Sequence, residues 1–296
     1  MNILFYAFLT LLGWGTWLAP SQKVQFPNQQ IKNLYVVLTN LVIAAVVAFW
    51  RGDLGEVTGG TFWLTFVGGL IWALGGWSAF TGTNKLGIAK AFGIWAPLNI
   101  IVSLLWGAVL FHEFLDISAG SILWLVIAII TILAGILLII FAKGTDDPAE
   151  SGSTSRLGIF AAIGAGIFWG SYFIPIKYSG VSPWSGALPL AIGMAAGGVV
   201  LALLARQTWK LNSSSDTVRA CLTGALWSLG NYGSLFMVDA IGAGKGFTIA
   251  QISLVISALI GIYWLHEPPP GTRVANWTLV GCVLATVGGI VLSNLR

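Results

Sequence analysis

Eight side chains in this sequence are of types that a helix facing hydrocarbon has no use for. Trp14, Trp72, Trp95, Asn99, Trp169, Trp227, Asn231 and Gln251 each fall inside a long apolar run. Leu, Ile and Val suffice against lipid, whereas an amide left unpaired there is costly. Flat indoles can cover the C–H face of a ring compound, and uncharged amides can both donate to and accept from hydroxyls. Together they form a lining suited to a neutral, hydroxyl-rich molecule. Asn231 follows Trp227 by one helical turn and Asn99 follows Trp95 by one, which puts each amide on an indole's face of its helix. Trp17 stands one turn after Trp14 on the same face, and Tyr172 stands likewise after Trp169. The competing account is structural. Aromatic belts gather Trp at membrane interfaces, which explains Trp50, Trp63, Trp184, Trp209 and Trp277. It explains mid-run Trp72, Trp95 and Trp227 poorly, and for these the alternative is plain helix packing.

Four charged residues sit where a helix dipole opposes them. Lys90 and Lys245 begin apolar runs, and Glu113 and Glu267, each preceded by a histidine (His112, His266), end them. All four are candidate gating residues. Snorkelling to the interface is the alternative for the lysines, and a fixed salt bridge is the alternative for the glutamates. Asp239 closes a run whose counterpart ends in Asn84, so that acid is not symmetric. No Asp or Glu lies in the middle of any apolar run, the usual station of a coupling proton. Proton-coupled and facilitated movement therefore both stay open. Cys221 and Cys282 are isolated in apolar surroundings, with no disulfide framework and no metal-ligand spacing. Nucleophile motifs, HExxH and Gly-rich phosphate loops are missing, so neither an enzyme nor a cofactor is expected. No basic tract could grip nucleic acid.

The elements that must position these residues follow from composition. Hydrophobic residues make up 57% of the chain and charged residues 8%, and mean hydropathy is +0.88. Soluble domains carry about 25% charged residues, so this is an integral membrane protein with the bilayer as its solvent. A span needs roughly 20 apolar residues, and ten runs qualify: about 3–20, 32–50, 61–83, 88–111, 120–141, 157–175, 185–205, 218–239, 245–265 and 275–294. They are too long for barrel strands and do not alternate, so all are helices. The first run lacks the basic leader of a signal peptide, its first lysine being Lys23, and reads as a span.

The chain is also doubled. Leu12-Gly13-Trp14-Gly15-Thr16-Trp17-Leu18-Ala19-Pro20 returns as Ile167-Phe168-Trp169-Gly170-Ser171-Tyr172-Phe173-Ile174-Pro175, an offset of 155 residues. The same offset pairs Gly69 with Gly224, Trp72 with Trp227, Gly75 with Gly230, Gly87 with Gly242, Lys90 with Lys245 and Phe92 with Phe247. Residues 1–141 and 157–296 are then two five-helix repeats joined by a polar linker, 142–156. Five is odd, so the second copy enters from the opposite side and the 5+5 repeat is inverted. Ten of the 14 Lys and Arg fall on the linker's side and four on the side of the termini. Positive-inside then places the linker in the cytoplasm and both termini outside. Small-xxx-small patterns at Gly166–Gly170 and Gly193–Gly197 allow close helix approach.

This architecture, with Trp-Gly and Pro in the first span of each half, resembles the drug/metabolite transporter superfamily. Gly13-Trp14-Gly15, Pro20 with Lys23, Gly87-Ile88-Ala89-Lys90-Ala91-Phe92 and the two His-Glu ends are similar to its glucose/ribose porter family, relatives of the rhamnose–proton symporter. The resemblance covers essentially the whole chain. It implies a bacterial cytoplasmic-membrane carrier importing a monosaccharide such as glucose or ribose, driven by protons or passively. A metabolite or amino-acid exporter of the same superfamily is the alternative.

Overall fold

The computed structural model describes residues 3–111, 118–142, 152–241, 249–250 and 252–294. Gln251, Glu113, Lys245 and most of the 142–156 linker lie outside the described residues. Most of those described are helical, with no strand among them. In chain order the helices are α1 (Ile3–Thr16), α2 (Ala19–Gln22), α3 (Gln29–Arg51), α4 (Gly59–Leu86), α5 (Ile88–Leu110), α6 (Ala119–Phe141), α7 (Gly152–Trp169), α8 (Phe173–Ser179), α9 (Pro183–Leu204), α10 (Ser214–Ile241), α11 (Ile252–Leu259) and α12 (Arg273–Ser293). A π turn, Ile260–Trp264, continues α11.

Among the described residues, eight helical segments are long and apolar enough to cross a membrane, with α1–α2 and α7–α8 each counted as one. Two stretches fall outside that set: α10, which carries Asp216, Arg219, Asn231 and several Ser and Thr, and Ile252–Trp264, which is apolar but short. The outward surface is greasy: Leu4, Phe49, Trp50, Leu204 and Trp264 are largely exposed. Water would not tolerate so continuous an apolar exterior, and hydrocarbon does.

Helix starts are set by short polar side chains. Asn28, Ser118, Ser182 and Thr272 each accept from the backbone N–H three residues on, and Thr58 forms a reciprocal box with Thr61. Two spans expected to be continuous are broken. α1 stops at Thr16 and α2 resumes at Ala19. α7 stops at Trp169 and α8 resumes at Phe173. Pro20 and Pro175 explain both breaks, since a proline has no N–H to offer the carbonyl four residues back, and its ring clashes there.

Packing crosses from one half of the sequence to the other. α1 lies against α10 and α4 against α7, α3 against α10 and α4 against α9, α5 against α7 and α1 against α11. α3 also packs on α9, and α6 on α12. Both small-xxx-small patterns serve these contacts: Gly166 and Gly170 meet Leu98 and Val102 of α5, and Gly193 and Gly197 meet Phe66 and Ala73 of α4.

Candidate functional site

At the centre of the crossing helices five indoles from both halves form one cluster. Trp169, at the end of α7, touches Trp17, Trp72 and Trp95, with ring centroids at 6.1, 5.3 and 5.6 Å. Trp72 meets Trp227 edge to face at 4.8 Å. Trp169 Nε1 donates to the Trp72 carbonyl at 3.1 Å, which fixes the hub ring. Two glycines make room. A Cβ on Gly75 would stand 2.5 Å from Trp169 Cδ1, and one on Gly230 would stand 2.3 Å from Trp14 Cδ1. The repeat thus reappears as packing: Trp169 rests on Gly75 of α4 as Trp14 rests on Gly230 of α10. Trp14 itself is half-buried and lies against Gly230.

Polar side chains flank the cluster. Asn40 on α3 is buried and fully engaged, accepting from Ser228 Oγ at 2.8 Å and donating to Met194 Sδ at 3.4 Å. Asn33, one helical repeat earlier and also buried, donates to the Ala73 carbonyl at 3.0 Å. Ser103 Oγ reaches both Asn99 Oδ1 and the Gly170 carbonyl at 3.3 Å. Trp106 Nε1 donates to Ser171 Oγ at 2.9 Å. Thr223 Oγ1 donates to Ser21 Oγ at 2.7 Å, joining α10 to α2. Asn99 and Asn231 are both half-buried.

One end of the assembly is closed by a polar clasp between the halves. Gln22 Nε2 donates to Glu267 Oε2 at 2.9 Å and to the Thr83 carbonyl at 3.0 Å. Lys23 Nζ donates to the Leu265 carbonyl at 3.1 Å. Gly87 lies so near that a Cβ there would be 2.7 Å from Glu267 Cβ. The π turn and a left-handed His266 (φ 60°) swing the chain round, and Glu267 N–H donates to the Gly261 carbonyl at 2.8 Å. A non-glycine residue held at positive φ is strained, and such strain persists where surrounding contacts enforce it. Lys32 is buried beneath this clasp, its ammonium 5.0 Å from the Phe80 ring centroid and 5.7 Å from that of Phe26. Glu267 lies within electrostatic reach of it. Lys90 Nζ donates to the Ala142 carbonyl just past α6 at 3.2 Å, a favourable place for a cation at a helix C-terminus.

The sequence-derived residues Trp72, Trp95, Trp169 and Trp227 are therefore brought together. Trp14, Asn99 and Asn231 border the same helices, and Glu267 stands at the clasp. Sequence reasoning noted Trp17 only as a neighbour of Trp14 on its helix face and passed over Asn33, Asn40, Gln22 and Lys32 as site residues. The signal was present for some of them. Lys32-Asn33 and Asn40 are polar residues in an otherwise apolar run, and Asn33 and Asn40 are seven apart, on one helix face.

The family model described as sugar transport protein matches residues 5–295. A relative from Enterococcus faecalis, named for sugar uptake, is 29% identical and covers 99% of each chain. Relatives from Priestia megaterium and Bacillus anthracis, named for glucose uptake, are 28% and 27% identical over 78% and 76% of each chain. One solved crystal structure is similar in fold, with a TM-score of 0.61 at 17% identity, covering 98% of this chain and 96% of that one.

Proposed function

Because the chain belongs to the sugar transport protein family and is a multi-pass membrane protein, we propose that it is a secondary carrier importing a neutral monosaccharide of the glucose or ribose class. Its substrate site is the tryptophan cluster and its border, with Trp72, Trp95, Trp169 and Trp227 and the flanking Trp14 as the apolar platform and Asn99, Asn231 and Gln251 as hydroxyl partners. The observation that carries this reading is the edge-to-face contact of Trp72 with Trp227, one indole from each half, at 4.8 Å. A sugar enters by parting these rings. An aromatic pair is worth about 0.5–1.5 kcal/mol beyond its buried area, which one or two hydrogen bonds of about 1 kcal/mol each offset.

The carrier has ten spans in two inverted five-helix repeats, residues 1–141 and 157–296, linked on the cytoplasmic side, with both termini outside. Support comes from the exchanged helix pairs, in which the α1–α10, α3–α10 and α5–α7 contacts have α4–α7, α4–α9 and α1–α11 as counterparts at the 155-residue offset. Glu267 with Gln22 forms the cytoplasmic gate, beside Lys90. Glu113 and Lys245 are their counterparts at the outer end. Rocking of one half against the other parts the indoles first from one side and then from the other.

Uptake of labelled D-glucose and D-ribose into liposomes holding the purified protein tests this directly. Saturable uptake is expected, and a fall on replacing Trp227 with alanine. Dependence on an imposed proton gradient separates coupled from facilitated transport. Uptake of neither sugar, with labelled amino acids moved instead, overturns the reading in favour of an exporter of the same architecture.

A further inference from the structure

We propose that Asn33, through its Oδ1, accepts a hydrogen bond from one hydroxyl of the transported sugar and so acts as a specificity-determining residue; this rests on the carrier reading above. Among the described residues, three buried side-chain polar atoms have no protein partner: Gln29 Oε1, Asn33 Oδ1 and Thr278 Oγ1. Of these, Asn33 adjoins the tryptophan cluster.

The Asn33 amide is fixed at one end only. Nδ2 donates to the Ala73 carbonyl at 3.0 Å, which sets the plane of the group and aims Oδ1 along α4 toward Gly76. There Oδ1 lies 2.3 Å from where a Cβ on Gly76 would stand, and Trp72 Cζ3 lies 3.2 Å from that same point. The unused acceptor is therefore beside the indole that faces Trp227 across the halves. Asn40 provides the internal contrast. On the same helix face seven residues later, its oxygen is taken by Ser228 and its nitrogen by Met194. A residue needed for helix packing alone would be expected to look like Asn40, since buried polar groups in native structures are almost always paired.

The chemistry of an amide oxygen narrows the ligand. It accepts from O–H and N–H and repels carboxylate or phosphate oxygens, so it suits a neutral polyol lying with its C–H face on Trp72 and a rim hydroxyl toward Asn33. A ring lacking that one hydroxyl would leave the carbonyl unpaired, and sites built to hydrogen-bond a hydroxyl discriminate against analogues that lack it.

The test uses the full chain in liposomes. Unlabelled D-glucose and its 2-, 3-, 4- and 6-deoxy forms, with D-ribose and 2-deoxy-D-ribose, compete against labelled D-glucose in the parent and in Asn33→Leu. In the parent, one deoxy form should bind roughly five- to tenfold more weakly than its hydroxylated sugar. In Asn33→Leu that single penalty should vanish while the penalties at the other positions persist. Should Asn33→Leu fail to assemble, Asn33→Ala is read the same way. A variant that weakens every competitor by one common factor, or changes none, makes Asn33 a packing residue and overturns the proposal. A parent that binds none of these sugars removes the carrier reading itself, and this inference with it.

Discussion

Trp169 shows how much one residue's surroundings depend on its distant neighbours. Its ring contacts Trp17, Trp72 and Trp95, and its N–H holds the backbone of α4. The position exists because Gly75 has no Cβ, and Gly230 plays the same part for Trp14. A methyl group at either glycine must displace a helix backbone or a wedged indole, and overpacking of this kind costs about 1–3 kcal/mol. Gly75→Ala and Gly230→Ala should therefore each lower the melting temperature in detergent. Gly60→Ala, with nothing within 4 Å of the added carbon, should not. Equal melting of all three would show that the wedge carries no stability. Glu267 is the matching test at the clasp. Glu267→Ala removes the carboxylate that Gln22 grips, so a reporter cysteine at Thr83, with Cys221 and Cys282 replaced by serine, should label faster than in the parent. Unchanged labelling would reduce Glu267 to a local tether.

The broken spans are features of elements rather than of single residues. A proline inside a helix costs about 3 kcal/mol relative to alanine, yet the chain places one in the first span of each half and bends both spans at the neighbouring aromatic residues. The break lets Trp17 turn into the cluster, where it is 2% exposed. Pro20→Ala restores an N–H able to bond the Thr16 carbonyl, and Pro175→Ala does so for Ser171. Both variants should hold or raise the melting temperature while sugar uptake falls, because a straightened helix withdraws its indole or tyrosine from the seam. Full uptake in either variant would mean that the break serves only to fit the chain together.

Alternating access at the scale of the molecule requires the contacts between the halves to come apart at one end at a time. Thr223 and Ser21 offer a way to prevent this, since their oxygens are 2.7 Å apart across the α10–α2 contact. With the native cysteines replaced by serine, Ser21→Cys with Thr223→Cys should form a disulfide under mild oxidation, because side chains this close lie within its reach. Uptake should stop on oxidation and return on reduction. Bridging without loss of uptake would show that this end of the molecule does not open during transport.

Composition and periodicity alone determined that the chain is helical and lives in a bilayer, because hydrophobicity on this scale leaves no other solvent for it. The positions of most helices were equally legible, since a span's length is set by the membrane and its ends by Asn, Ser, Thr and Gly. The repeat register, read from Trp14 with Trp169 and Gly75 with Gly230, already named the residues that pair in space. It could not say which partner each would meet. That Trp169 lies on Gly75 rather than on its own half, that Trp17 joins the cluster while Trp14 stays on Gly230, and that Asn40 is satisfied while Asn33 is not are outcomes of how the helices of one half of the sequence cross those of the other. Glu267 followed the same rule. A carboxylate at a span's end can be anchored, paired or free, and only the approach of α2 from the other half gives it Gln22. Local patterns record the solvent and the helix period, whereas the identity of a contact between halves depends on the packing of both at once, and no window of sequence contains it.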